Sequence, residues 1–169
     1  RASAASDVYK RQIDRKIIEE VQSKYSGAQI TKDMARRWKE QHSFVGKATP
    51  ESPVMVDFSI EGKAMTLDIT DCVQKACESI VDPIVENVKT LIATSNPEYH
   101  DQFRRNMILA GGGSGIKGLG AMIERRLSDL GDVNVHVVDD PVRLGAMGGL
   151  RLAMEVPEEM WKNLTLASR

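Results

Sequence analysis

The sequence predicts an α/β fold in which amphipathic helices alternate with short strands. Residues 54–69 alternate between apolar and polar side chains on both sides of Glu61-Gly62-Lys63, which is the pattern of a β-hairpin. Two later apolar runs, residues 107–110 and 133–138, are each followed by a helical pattern, as expected of strands connected by helices. The predicted order is helix, helix, hairpin, long helix, strand, helix, strand, helix.

Two amphipathic helices precede the hairpin. In the first, apolar residues recur at helical spacing from Ile13 to Tyr25, and Gly27 is placed to end the helix. In the second, Thr31 is the predicted N-cap, and Trp38 lies on the apolar face. Both helices are therefore expected to bury one side.

A long helix is predicted after the hairpin. Its apolar stripe runs from Val73 to Ile92 within about 24 residues, which corresponds to roughly 36 Å of helix. Pro83 interrupts the stripe, and an interior proline removes one backbone hydrogen bond, so we expect a kink there. Asn96-Pro97 is expected to end the helical run.

Composition and charge exclude several classes of protein. The 169 residues are 41% hydrophobic and 28% charged, as in an ordinary globular domain. The net charge of -1 gives no electrostatic footprint for nucleic acid or an anionic membrane, and no apolar run is long enough to be a transmembrane segment. Neither the two cysteines nor the three isolated histidines have the spacing of a metal site, and unpaired cysteines fit a reducing cytoplasm (Cys72, Cys77, His42, His100, His136).

The most informative stretch is the glycine-rich sequence that follows the apolar run of residues 107–110. Glycines lack Cβ atoms, so a ligand can approach their backbone N–H groups closely, and a helix that follows such a loop favours an anion. Five glycines within residues 111–118 also exceed the one or two that a simple turn requires. The candidate nucleotide-binding residues in this loop are Gly111, Gly112, Gly113, Ser114 and Gly115.

The glycine spacing also permits a second interpretation. The Walker pattern is excluded because a glycine, rather than Ser or Thr, follows Lys117. Gly113, Gly115 and Gly118 do match the dinucleotide fingerprint, and Asp139-Asp140 stands where the ribose-binding acid is expected. A dinucleotide-binding oxidoreductase fragment is therefore an alternative, although no third parallel strand follows in the sequence pattern to complete the unit.

An ordered set of motifs resembles the bacterial actin-like ATPases of the actin/Hsp70 superfamily. The set consists of Ile108-Leu-Ala-Gly-Gly-Gly-Ser, then Val135-His-Val-Val-Asp-Asp-Pro141, then Gly145-Ala-Met-Gly-Gly-Leu-Arg-Leu-Ala153. Residues 39–46, 96–99 and 150–161 are most similar to the magnetosome-organising branch. The cell-shape actins share the glycine loop and Asp-Pro but fit the middle and the tail less well. The resemblance covers about residues 13–164 and implies the C-terminal domain, or second half, of the actin-like ATPase fold, incomplete.

The resemblance also implies a function, a cofactor and partners. It implies part of an ATP-binding, filament-forming protein that organises or positions magnetosomes or other intracellular structures, with a cell-shape actin as the alternative. Lys39 and Glu40 match a pair that lies beside the adenosine in this family. The phosphate clamps and the magnesium ligands lie upstream in the family, so no catalytic or metal residue is assigned and this chain alone is expected to lack ATPase activity. The implied partners are further copies of the protein and magnetosome-associated proteins, within a cytoplasmic cytoskeleton.

The chain is expected to consist of four segments. Residues 3–12 read as the translation of a transposon sequencing adapter, so residues 1–12 are expected to be foreign to the native sequence. The resemblance implies that residues 13–82 form an outer subdomain and that residues 83–156 form the subdomain on the nucleotide side. Residues 157–169 then form a C-terminal tail.

Overall fold

The order of helices and strands confirms the α/β class. The computed structural model describes residues 2–47, 50, 52–60, 62–141, 143–157 and 160–161, with side chains from residue 11 onward. The helices are α1 (Ala2–Lys24), α2 (Lys32–His42), α3 (Thr70–Glu78), α4 (Val81–Thr94), α5 (His100–Arg105), α6 (Leu119–Arg126) and α7 (Leu144–Glu155). The strands are β1 (Met55–Ile60), β2 (Lys63–Asp68), β3 (Met107–Leu109) and β4 (Val135–Val137).

The first two helices pack together as their apolar periodicity predicts. α1 buries Ile13, Ile17 and Val21, and it contacts both α2 and α3. The Thr31 hydroxyl accepts a hydrogen bond from the N–H of Met34 at 3.2 Å, which confirms the N-cap of α2. α1 begins upstream of the expected start, at residue 2, so the helix continues through the segment that resembles an adapter. The origin of that segment stays a prediction.

The predicted hairpin is confirmed, but its two strands are buried unequally. β1 and β2 pair antiparallel, with Phe58 opposite Met65 and Val56 opposite Leu67. Val56 and Phe58 are buried, whereas Met65 is exposed. β1 is the inner strand because its other edge forms an antiparallel bridge between Ile60 and the residue at position 28. β2 is therefore the outer strand, and its apolar side chains are less covered.

The predicted long helix is divided into two helices, so the expectation of one kinked helix is wrong. α3 ends at Glu78 and α4 begins at Val81, which places the break before Pro83. Pro83 is the third residue of α4, where a backbone N–H has no partner within the helix. In a continuous helix its ring would clash with the carbonyl of Ser79. The helix therefore ends and restarts rather than bending through the proline.

The second half of the chain is built around a short parallel sheet. β3 and β4 pair parallel, with Met107 opposite Val135 and Leu109 opposite Val137. α6 connects them and contacts β4 and α4. Both strands were expected from the sequence, although each is shorter than its apolar run. The sheet is incompletely covered, because Ile108 of β3 is 70% exposed. The apolar side chains of α7 are exposed as well (Leu144, Met147, Leu150, Leu152, Met154).

One continuous apolar core joins the two halves of the chain. It extends from Ile13 on α1 to Leu127 after α6. Phe44, in the segment after α2, is among its largest fully buried side chains. Cys72 and Cys77 on α3 belong to the same core, and both thiols are free. The core therefore fixes α2, α3 and α6 relative to one another.

Candidate functional site

The glycine loop follows β3 and precedes α6, as the sequence predicts. Residues Gly112–Gly115 form a separate 3-10 turn after Gly111, whose φ of +88° requires glycine. α6 begins only at Leu119, after Gly118 in the left-handed conformation. The helix predicted to follow the glycine stretch is therefore confirmed, and a separate turn lies between β3 and that helix. The positive end of the α6 dipole lies at residues 118–119, and the N–H groups of residues 112–115 belong to the turn instead.

Ser114 has a structural position within this turn. It is 4% exposed, and its hydroxyl donates to the carbonyl of Gly111 at 2.7 Å. The N–H of Ser114 bonds to the same carbonyl at 3.0 Å. The side chain therefore stabilises the loop, which leaves the backbone as the surface that a ligand can approach.

Open space lies over three of the loop glycines. A Cβ built on Gly111, Gly113 or Gly115 would meet no atom within 4 Å. At Gly120, by contrast, a Cβ would lie 3.0 Å from Cγ2 of Val137, so that glycine is needed for packing α6 on β4. The described residues leave the volume over the loop glycines open, so a ligand has room to approach the loop backbone. They leave the same kind of open space over four other glycines (Gly62, Gly145, Gly148, Gly149).

The loop lies beside the end of β4. The N–H of Gly111 donates to the carbonyl of Pro141 at 3.1 Å. A cavity of about 410 Å³ is lined by residues 114–121 and by residues at and after β4, including Asp139. Asp140 instead accepts a hydrogen bond from the N–H of Arg143 at 3.1 Å at the start of α7. Sequence reasoning assigned these acids a binding role only in the dinucleotide interpretation, although both also belong to the motif of residues 135–141 that carries the actin-like resemblance.

Lys39 and Glu40 lie on α2 and form different ion pairs. Lys39 Nζ lies 2.5 Å from Asp14 Oδ1 of α1, and the two side chains are 14% and 18% exposed. Glu40 pairs with Arg36 on its own helix at 2.9 Å, where both side chains are exposed. These contacts direct Lys39 towards α1 and Glu40 outwards. Their proximity to adenosine stays a prediction.

The segment after α2 connects this helix to the glycine loop. The N–H of Val45 donates to the carbonyl of Lys117 at 2.9 Å, and the N–H of Lys117 donates to the carbonyl of Ser43 at 3.2 Å. These bonds form a parallel bridge between Phe44 and Lys117. The end of α2 and the residues directly after the glycine turn are therefore held side by side.

Metal binding and membrane insertion have no support in the described part of the chain. Among those residues, no group of three or more His, Cys, Asp or Glu side chains could hold a metal ion. No helix among them combines the length and the apolar composition needed to cross a bilayer.

The chain is similar to actin-like proteins in sequence. The family model described as Salactin matches residues 2–157. The actin-like protein MamK of Paramagnetospirillum magneticum is 37% identical over 152 residues, which are 90% of this chain and 43% of that protein. MamK of Magnetospirillum gryphiswaldense is 35% identical over 152 residues, which are 90% of this chain and 42% of that protein.

Solved structures show the same similarity. A MamK double helical filament matches with a TM-score of 0.80 and 36% identity, over 88% of this chain and 45% of that chain. A non-polymerising MamK mutant bound to AMPPNP matches with a TM-score of 0.78 and 37% identity, over 86% of this chain and 44% of that chain. The present chain thus spans less than half the length of these relatives. The matches confirm the resemblance to magnetosome-organising actins and the partial actin-like fold, and they favour that interpretation over a dinucleotide-binding oxidoreductase.

Proposed function

The chain belongs to the Salactin family of actin-like proteins, and on that premise we propose that it is the C-terminal, nucleotide-binding part of a longer filament-forming actin. The open space over Gly111, Gly113 and Gly115 is the observation that carries this proposal. Ser114 and Gly115 also line the cavity of about 410 Å³ beside the end of β4, whereas the equally open hairpin glycine Gly62 is not among its lining residues. AMPPNP bound to a MamK mutant provides the class of ligand, an adenine nucleotide.

The backbone of the glycine loop is the proposed nucleotide contact. The main chain at Gly111, Gly112, Gly113 and Gly115 lies against the ligand in this proposal, although the N–H of Gly111 itself bonds to the carbonyl of Pro141. Ser114 holds the turn through its bond to the carbonyl of Gly111. Lys39 and Glu40 are proposed to lie near the adenosine through the bridge that anchors the end of α2. ATP is the proposed cofactor, and its magnesium ligands would come from the part of the protein outside this sequence.

The proposed cellular role follows from the relatives. MamK forms filaments, so self-association into filaments within the cytoplasm is proposed for the longer protein. Organisation of magnetosomes, through magnetosome-associated partners, is the corresponding role. We further propose that residues 13–82 are the outer subdomain and that residues 83–156 carry the nucleotide side.

A glycine substitution tests the nucleotide site. In a protein extended upstream to the length of its relatives, we expect Gly113→Val to weaken AMPPNP binding by about tenfold or more, because the branched side chain occupies the space above the loop. Gly112→Val is expected to act in the same direction, and Ser114→Ala far more weakly. Isothermal titration calorimetry measures these affinities.

Gly62→Ala provides a matched control in the hairpin turn. Its φ of +80° makes alanine strained, yet a Cβ there meets no atom within 4 Å. The control should therefore lose stability and keep its affinity for AMPPNP, whereas Gly113→Val should keep its stability and lose affinity. If the folded Gly113→Val and Gly112→Val proteins bind AMPPNP as the parent does, the loop is only a turn and the proposed site is wrong.

A further inference from the structure

A short turn after α2 is held from two sides. On one side, Ser43 and Val45 form the bridge to Lys117, directly after the glycine turn. On the other side, the carboxylate of Glu78 at the end of α3 accepts a hydrogen bond from the N–H of Gly46 at 3.0 Å. The turn thus lies between the glycine loop and α3.

Glu78 is itself oriented by a neighbour on α3. Nε2 of Gln74 donates to the same Oε1 of Glu78 at 3.0 Å and lies 3.4 Å from the carbonyl of Gly46. Gly46 has a φ of +61°, and a Cβ there would lie 2.9 Å from Cε of Met122 on α6. The turn therefore fits closely between α3 and α6, and a carboxylate acceptor fixes its backbone more strongly than a neutral group would.

We propose that Glu78 is a positioning residue of the nucleotide site. By fixing the N–H of Gly46, it sets how Ser43–Val45 lie against Lys117, and so sets the distance between the end of α2 and the glycine loop. This inference rests on the proposed function, because it assigns Glu78 to the same site. Glu78 does not contact the loop; it acts through the turn.

The first test measures the turn directly in the 169-residue chain. Hydrogen exchange followed by NMR reports on the N–H groups of Val45 and Lys117, which form the bridge. Glu78→Ala should accelerate their exchange by about tenfold relative to the N–H of Val73, which belongs to the core helix α3. Glu78→Gln keeps an oxygen that can accept from Gly46 and should restore protection. Equal protection in Glu78→Ala and the parent overturns the proposal.

A matched control removes a different carboxylate. Asp68 accepts hydrogen bonds from the N–H and the hydroxyl of Thr70, at 2.8 Å and 2.5 Å, at the other end of α3. Asp68→Ala should lower stability without selectively exposing the N–H groups of Val45 and Lys117. If Asp68→Ala has the same selective effect as Glu78→Ala, Glu78 has no specific positioning role.

The second test measures AMPPNP affinity in the upstream-extended protein. Glu78→Ala should weaken binding about fivefold or more, while Glu78→Gln and Asp68→Ala remain close to the parent. A parent that fails to bind AMPPNP contradicts the proposed function, and the inference falls with it. If the parent binds AMPPNP and Glu78→Ala binds it equally well, the proposed function stands and only the positioning role of Glu78 is contradicted.

Discussion

At the scale of single residues, neighbouring charges on α2 have different surroundings. Lys39 and Glu40 are adjacent in sequence, and adjacent residues on a helix point in different directions. Lys39 therefore meets Asp14 on α1 in a largely buried pair, whereas Glu40 meets Arg36 one turn earlier at the surface. The Arg36–Glu40 spacing is readable from the sequence, but the partner of Lys39 depends on how two helices cross. The sequence therefore could not identify it.

The burial of these pairs predicts different coupling energies. A double-mutant cycle with Asp14→Ala and Lys39→Ala should give a coupling of about 1–3 kcal/mol, because removing either partner leaves a charge in a poorly hydrated place. The matched cycle with Arg36→Ala and Glu40→Ala should give a coupling within experimental error, since water and salt screen exposed pairs. Urea unfolding of the parent and of the two sets of single and double variants measures both values. Equal couplings would show that burial does not govern these contacts.

At the scale of elements, sequence periodicity predicted the identity of the helices and strands better than their ends. Alternation identified the hairpin and helical spacing identified α1 and α2, because both patterns follow directly from which side faces the core. The break before Pro83 was missed, since apolar residues continue in helical register across it. The turn at Gly46 was missed too, because its partners Glu78 and Met122 are distant in sequence. Contacts between residues so far apart in the chain leave no local pattern in the sequence.

The junction between β2 and α3 should make stability depend on pH. The hydroxyl and the N–H of Thr70 hold the pKa of the Asp68 carboxyl below its usual range. A lowered pKa in the folded state means that the carboxylate stabilises the fold above about pH 4, and that this contribution is lost as the pH falls through the lowered value. Asp68→Asn should therefore be less stable than the parent at pH 7, with a difference that shrinks towards pH 3.

Urea unfolding between pH 7 and pH 3 measures this difference. Asp57→Asn in the same hairpin is a suitable control, because Asp57 also accepts from a threonine hydroxyl, that of Thr66, but lies within β1 rather than at the junction with α3. A stability difference for Asp68→Asn that is constant with pH would show that the charge of Asp68 does not contribute to the junction.

At the scale of the whole molecule, a large apolar surface lies on the second half of the chain. A cavity of about 650 Å³ is bounded mainly by apolar residues of α4, α5, β3 and β4, and Leu91, Phe103 and Ile108 around it are exposed. Parallel strands normally have both faces covered. The matched relatives are more than twice as long as the aligned region, and we attribute the uncovered surface to contacts with the rest of the longer protein.

This surface predicts opposite behaviour for the short and the extended proteins. The 169-residue chain should fold locally and tend to aggregate, because exposed apolar patches associate nonspecifically. It should neither hydrolyse ATP nor form ordered filaments, because both activities are proposed to need the upstream part. The upstream-extended protein should form filaments with ATP and magnesium, as seen by pelleting and negative-stain microscopy. An extended protein that stays monomeric under these conditions would contradict the filament proposal. Ordered filaments of the short chain would contradict the need for the upstream part.

The buried thiols of α3 give the core a chemical property of its own. Thiols react with alkylating reagents as thiolates, and burial raises the pKa of Cys77 to about 11. Cys77 is also fully buried, and it directly precedes Glu78 at the end of α3. Alkylation at neutral pH consequently requires α3 to separate from its neighbours. The labelling rate of Cys77 therefore reports how readily the region that supports the Gly46 turn opens transiently. This measurement needs no engineered probe.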